Sequence, residues 1–203
     1  MPRKFAEIAF TPAVKAIQER YGSREMYSRM EESGSENDTL IPRLVEFIQA
    51  RDSFYMGTVN ENGWPYIQFR GGPIGFLKIL DEKTLGFADF EGNCQDLSLG
   101  NLSVNERVFL FLMDYTNRRR LKIWGRATVE YNHPNLLEQL RVPGYEASCE
   151  RAILIDVEAW DWNCPQHIPL KYSEAQVTEM IAPLQTRIQE LEAQLASIQT
   201  PNS

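Results

Sequence analysis

From Ser53 to Trp160 the chain is a succession of short apolar runs closed by turn residues, and this pattern constrains the fold more than any other feature. SFYMGTV and WPYIQFR flank NENG, whose Asn62-Gly63 pair is a strong hairpin signal. GGPIG breaks the run at residues 71–75, FLKIL resumes it, DEKT turns and LGFADF continues. After GNCQDLSLGNLSVNE, read as a loop and short helix, come RVFLFLMDY, RRRLKIWGRATVE and RAILIDVEAW. RVFLFLMDY is apolar enough to read as a buried strand. Short turns between such runs predict about six antiparallel strands in a closed or nearly closed barrel, a mainly β fold of the α+β type.

Helical signals flank this block. In TPAVKAIQERYG, Thr11 is an N-cap, Pro12 stands at the first helical position and Gly22 is a stop, with Val14, Ile17 and Tyr21 on one face. SREMYSRMEESGSENDT reads as a linker or a short helix. DTLIPRLVEFIQAR starts a further helix whose apolar face is Leu40, Leu44, Phe47 and Ile48, and HPNLLEQL reads as a short one. At the C-terminus Ser173 and Gln176 form a capping box. Val177, Ile181, Leu184, Ile188, Leu191, Leu195 and Ile198 then recur at spacings of four and three, a heptad seam interrupted by Pro183. Either the seam docks on its own domain or it pairs with another helix. The expected division is a domain over residues 1–170 with its N-terminal helices, and a C-terminal helix over 171–203.

NRRRLKIWGRATVE, residues 117–130, is unusual in an acidic chain. With 21 basic and 28 acidic residues the net charge is −7, which argues against a nucleic-acid or anionic-membrane binder but permits one basic pocket. Alternation along a strand puts Arg118, Arg120, Lys122, Trp124 and Arg126 on one face and Arg119, Leu121 and Ile123 on the other. Guanidinium groups bind phosphate through paired hydrogen bonds and an indole offers a stacking surface. The basic face therefore suits a small anionic aromatic molecule, the alternative being a solvated face balanced by nearby Asp or Glu.

Two further stretches outline a pocket. QFRGGPIG sets Arg70 at a strand end before Gly71 and Gly72, where backbone can approach a ligand closely. It is not G-x-G-x-x-G, and no βαβ unit surrounds it. ADFEGNCQDLSLGN sets Gly92, Asn93 and Gln95 at a strand-to-helix junction, where backbone amides can meet an anion.

These stretches, in the order GTVNENGWPYIQFRGG, FLKILDEKTLGFADFEGN, NLSVNERVFLFLMDY, RRRLKIWGRATV and ILIDVEAW, resemble the pyridoxamine 5′-phosphate oxidase-like flavoproteins over roughly residues 40–165. The resemblance is to their uncharacterised flavin-nucleotide-binding branch. It implies a six-stranded split β-barrel with peripheral helices and a homodimer with FMN at the interface. By it, Arg70 matches a strand-end arginine near the FMN phosphate, and Trp160 matches a tryptophan beside the flavin. Gly92-Asn93-Cys94-Gln95 takes the place of a Gly-Ser-Arg-Lys phosphate loop, a departure that removes two cations. Arg119, Arg120 or Lys122 is then expected to supply the missing charge, with Asn93 and Gln95 donating hydrogen bonds. The oxidase's Arg-x-His substrate element is not matched, because no arginine stands two residues before His167. Trp162, Gln166 and His167 are therefore expected to line a different substrate site.

No Ser-His-Asp spacing or G-x-S-x-G is present, and two histidines, His133 and His167, give poor support for a metal site. Cys94, Cys149 and Cys164 lack C-x-x-C spacing, and no stretch approaches the roughly 20 apolar residues of a membrane span. The expectation is a cytoplasmic FMN-dependent oxidoreductase acting on a small molecule, with no nucleic-acid or membrane partner. The alternative is a non-catalytic module for flavin, haem or deazaflavin.

Overall fold

The structure, a computed structural model, describes residues 3–32, 36–162 and 164–199. Its frame is one antiparallel sheet: β1 Ser53–Val59, β2 Pro65–Gly71, β3 Lys78–Ile79, β4 Thr84–Phe90, β5 Arg107–Asp114, β6 Arg119–Tyr131 and β7 Cys149–Trp162. The order across the sheet is β2-β1-β5-β6-β7-β4-β3, and the fold is an α+β split barrel. Seven strands replace the expected six because FLKIL contributes the two-residue β3. The helices are α1 Lys4–Ala9, α2 Pro12–Arg20, α3 Arg24–Glu32, α4 Pro42–Gln49, α5 Leu97–Leu102, α6 Pro134–Leu140 and α7 Glu174–Gln199. Contacts divide the chain into two compact units. One is Met1–Asp114 with Arg119–Pro165, and the other is Tyr115–Arg118 with Gln166–Ser203.

Alternation fixes the core of the first unit. Phe54 and Met56 of β1, Leu110 and Leu112 of β5, Leu121 and Ile123 of β6, and Ile153 and Ile155 of β7 all point inward and are buried. Leu40 and the α4 residues Leu44, Phe47 and Ile48 belong to the same cluster, as their spacing predicts. Burial of each such side chain stabilises the fold by roughly 1.5–3 kcal/mol. RVFLFLMDY is buried on one face only, because Phe109, Phe111 and Met113 look outward and are half-buried. The predicted α2 face also differs. Val14, Ile17 and Tyr21 are exposed, and Gln18 is the buried residue of that helix.

Local chemistry sets the turns and ends. Asn60 Oδ1 accepts from the amides of Asn62 at 3.0 Å and Trp64 at 2.9 Å, and Gly63 takes φ +82° between them, closing the β1–β2 hairpin. Thr11 caps α2 through Val14 N–H, and His133 Nδ1 caps α6 through Leu136 N–H. The capping box forms: Gln176 N–H donates to Ser173 Oγ at 3.2 Å, and Ser173 N–H donates to Gln176 Oε1 at 2.9 Å.

Residues 37–39 strap β7. Trp160 N–H donates to Asn37 O, and its indole Nε1 donates to Thr39 O at 2.9 Å. Asp38 between them accepts from Lys83 Nζ at 2.7 Å, which holds its carboxyl below the ordinary 3.8. Glu31 is likewise lowered by the hydrogen bond from Arg24. A carboxyl whose titration folding lowers contributes stability above its ordinary pKa and loses it as acid protonates it. The melting temperature is therefore expected to fall as the pH drops below about 4. Asp38→Asn should flatten that dependence, as thermal melts followed by circular dichroism across the acid range would record.

Candidate functional site

β2 is an edge strand, and its end faces the loop that follows β4. Between them lies a cavity of about 330 Å³, lined by Tyr66–Arg70, Asp89–Leu99 and Arg151. That volume is at the lower end of small-molecule sites, which run from roughly 300 to 1,000 Å³. Ser98 donates to Gln68 Oε1 at 2.6 Å and Asn101 donates to Thr58 Oγ1 at 2.8 Å, so α5 is tied to both β2 and β1 behind the cavity.

Arg70 is the pivot. Its side chain is 12% exposed, and Nη1 donates to Asp89 Oδ1 at 2.5 Å. Asp89, at 7% exposure, sits in β4 opposite Arg151 of β7, and Arg151 Nε lies 3.3 Å from Asp89 Oδ2. Arg151 also reaches Asp96 at 3.5 Å. One carboxylate thus orders two guanidinium groups on the cavity wall. Arg70 Nε is buried and makes no hydrogen bond. A buried donor left unpaired costs about 1–3 kcal/mol, which a ligand oxygen placed there would recover.

Asn93 and Gln95 line the same cavity, Asn93 Oδ1 accepting from Gln95 N–H at 3.3 Å. Cys94 and Asp96 hold positive φ, +55° and +50°, which winds the loop sharply. Two expectations are corrected here. First, α5 begins only at Leu97 and is six residues long, so Gly92, Asn93 and Gln95 lie in the loop before it and not at a helix N-terminus. Second, neither Gly71 nor Gly72 lines the cavity. A Cβ on Gly71 would lie 2.9 Å from the Phe69 ring, and one on Gly72 would lie 2.8 Å from the Phe76 ring.

The basic run disperses. Arg118 leaves the strand in a turn at φ +51°. Arg119 lies over the rings of Phe47 at 5.1 Å and Trp162 at 4.7 Å, with Nη2 buried and unbonded. Arg120 lies 6.0 Å from the Phe111 ring. Lys122 pairs with Asp161 at 2.6 Å, and Arg126 pairs with both Glu106 and Glu158. The carboxylates from neighbouring segments therefore balance Lys122 and Arg126, where the sequence had suggested an external anion. None of Arg119, Arg120 and Lys122 lines the cavity. Trp160 is a core residue at 6% exposure. Trp162 packs edge-to-face on Phe47 at 4.9 Å, beneath Arg43 and Arg119. In the second unit, Gln166 and His167 are exposed, His167 at φ +62°.

The structure thus brings Arg70, Asn93 and Gln95 together and adds Asp89 and Arg151, which the sequence reading missed. A single acid inside the otherwise apolar LGFADF was the available signal, since a buried carboxylate requires a cation. The full wall carries two arginines against Asp89, Glu91 and Asp96. It has no surplus of positive charge, so an anion here must be held by directed donors.

The model of the pyridoxamine 5′-phosphate oxidase family matches residues 40–164. Among solved structures, HupZ from Group A Streptococcus superposes at TM-score 0.51 and 14% identity, over 65% of this chain and 99% of that one. A second HupZ structure gives 0.51 and 14%, over 61% and 99%. An FMN-binding protein from Syntrophomonas wolfei gives 0.47 and 10%, over 71% and 96%. No curated protein matches the chain. Identities this low speak to the fold alone.

Proposed function

The chain belongs to the pyridoxamine 5′-phosphate oxidase family, and we propose that within it the protein is an FMN-dependent oxidoreductase acting on a small molecule. The observation that carries this reading is Arg70, ordered by Asp89 and with an unpaired, buried Nε, on the wall of a ligand-sized cavity. The residues fit a phosphate on these terms. Arg70 offers a charged donor held in place by Asp89, and Asn93 and Gln95 offer neutral donors. Bound there, FMN would supply hydride and electron transfer, while the chain supplies position and electrostatics. The free thiols of Cys94, Cys149 and Cys164 accord with a reducing, cytoplasmic setting. No helix among the described residues is long and apolar enough to cross a membrane.

A homodimer with the flavin at its interface is part of the same reading. Tyr55, Ile67 and Phe69 are exposed on the outer face of β1 and β2, next to Phe109 and Phe111 of β5. Ile67 and Phe69 also line the cavity, so a second copy on this face would help enclose the ligand. In a chain ending at Tyr172, which lacks α7, Ile67→Glu is expected to raise the dimer dissociation constant about 30-fold or more, as loss of a hot spot does. Analytical ultracentrifugation reads this directly.

The functional test is spectroscopic. Purified protein is expected to show the flavin spectrum, to bleach with NADH or NADPH, and to recover in air. A flavin that stays oxidised under both nicotinamides would favour the non-catalytic module. Protein that takes up haem or deazaflavin and refuses FMN would overturn the cofactor.

A further inference from the structure

We propose that α7 pairs with α7 of a second copy as a parallel, in-register, two-stranded coiled coil. This goes beyond the flavin reading and does not depend on it. α7 runs 26 residues, about 39 Å at 1.5 Å per residue. Its seam is exposed: Val177 42%, Ile181 39%, Leu184 62%, Ile188 55%, Leu191 42% and Leu195 57%. Six large apolar side chains in one stripe require a cover.

The residues along the stripe specify which cover. Spacings of four and three place Ile181, Ile188 and Leu195 at heptad position a, and Val177, Leu184 and Leu191 at d. Two successive heptads therefore carry isoleucine at a and leucine at d, the combination that favours parallel two-stranded coils. Position g holds Met180, Arg187 and Gln194, and position e holds Thr178, Gln185 and Glu192. In a parallel pair, each g faces the e′ five residues further along the partner, so Arg187 meets Glu192 twice across the two-fold axis. In an antiparallel pair g faces g′ and e faces e′, and no opposite charges meet. The charges thus select the parallel arrangement.

Two features are compatible with this pairing. Pro183 falls at position c, off the seam, and α7 continues through it. Within the chain Arg187 contacts Glu190 at 2.8 Å, but both side chains are more than half exposed, so this solvated pair exchanges easily. A lipid surface is the poorer match. Interfacial helices carry basic polar faces, whereas α7 has only Arg187 against Glu174, Glu179, Glu190 and Glu192.

The test uses the full chain with the exposed Cys94 and Cys164 replaced by serine. Leu184→Cys and Leu191→Cys, introduced separately, are each expected to form a covalent dimer in glutathione buffer at least ten-fold more readily than Gln189→Cys at the outward position b. Adding Arg187→Glu should lower the cross-linked fraction several-fold, and adding Glu192→Arg as well should restore it. Circular dichroism confirms that each variant folds. No self-cross-linking at either seam position, cross-linking at only one of them, equal cross-linking at Gln189→Cys, or no recovery by the charge swap would overturn the proposal.

Discussion

Replacing Arg70 with glutamine is expected to raise the FMN dissociation constant at least ten-fold and to leave riboflavin binding within about two-fold. The two ligands differ only in the phosphate, so the contrast isolates the contact at Arg70. A hydrogen bond to a charged group contributes roughly 1.5–3 kcal/mol, and each 1.4 kcal/mol is a factor of ten. The wall carries as many carboxylates as arginines and one more, so diffuse field cannot compensate for the lost donor. The variant also takes from Asp89 its nearer cation, leaving Arg151 at 3.3 Å. Some loss of stability, about 1–3 kcal/mol, should accompany the change. Titrations of fluorescence quenching well below the melting temperature keep binding separate from folding. Equal weakening of FMN and riboflavin would move the role of Arg70 from the phosphate to the architecture of the cavity.

Gly125→Val should destabilise the protein by about 3 kcal/mol or more, the upper range for overpacking. Gly125 is buried in β6 where the β6–β7 register shifts. A Cβ there would stand 2.5 Å from Asp156 O and 2.9 Å from Ile155 Cγ2. The nearer atom is backbone, so the strand itself must move, and it belongs to the longest pairing in the sheet. Even Gly125→Ala meets the same oxygen. By contrast, a Cβ on Gly86 meets only leucine methyl groups at 3.0–3.1 Å, which can turn aside. Thermal melts should show Gly125→Ala costing more than Gly86→Ala. The reverse order would mean that the β6–β7 irregularity is soft.

The parts of the fold governed by near neighbours were legible. Thr11, the Asn60–Trp64 hairpin and the Ser173–Gln176 box are local hydrogen-bond devices, and each forms as its residues predict. The α4 face was legible because a 3.6-residue stripe of Leu44, Phe47 and Ile48 has one way to be buried. The alternation of Arg120, Lys122, Trp124 and Arg126 against Leu121 and Ile123 holds along β6, but Arg118 falls outside the strand, and what neutralises the charges was not legible. Lys122 finds Asp161, and Arg126 finds Glu106 and Glu158, on segments that only the sheet register brings alongside. Asp89 and Arg151 were missed for the same reason, since they become neighbours only through the β4–β7 pairing. The exposure of Val14, Ile17 and Tyr21 shows the converse, because a regular apolar stripe does not by itself say what it faces.

The flavin reading stands or falls on whether Arg70 holds a phosphate at the end of β2. A crystal structure of the protein with FMN tests it most directly. Phosphate oxygens are expected within about 3 Å of Arg70 Nε, with the loop of Asn93 and Gln95 closing on the same group. FMN bound elsewhere, or in this cavity with Arg70 Nε still alone, would contradict it.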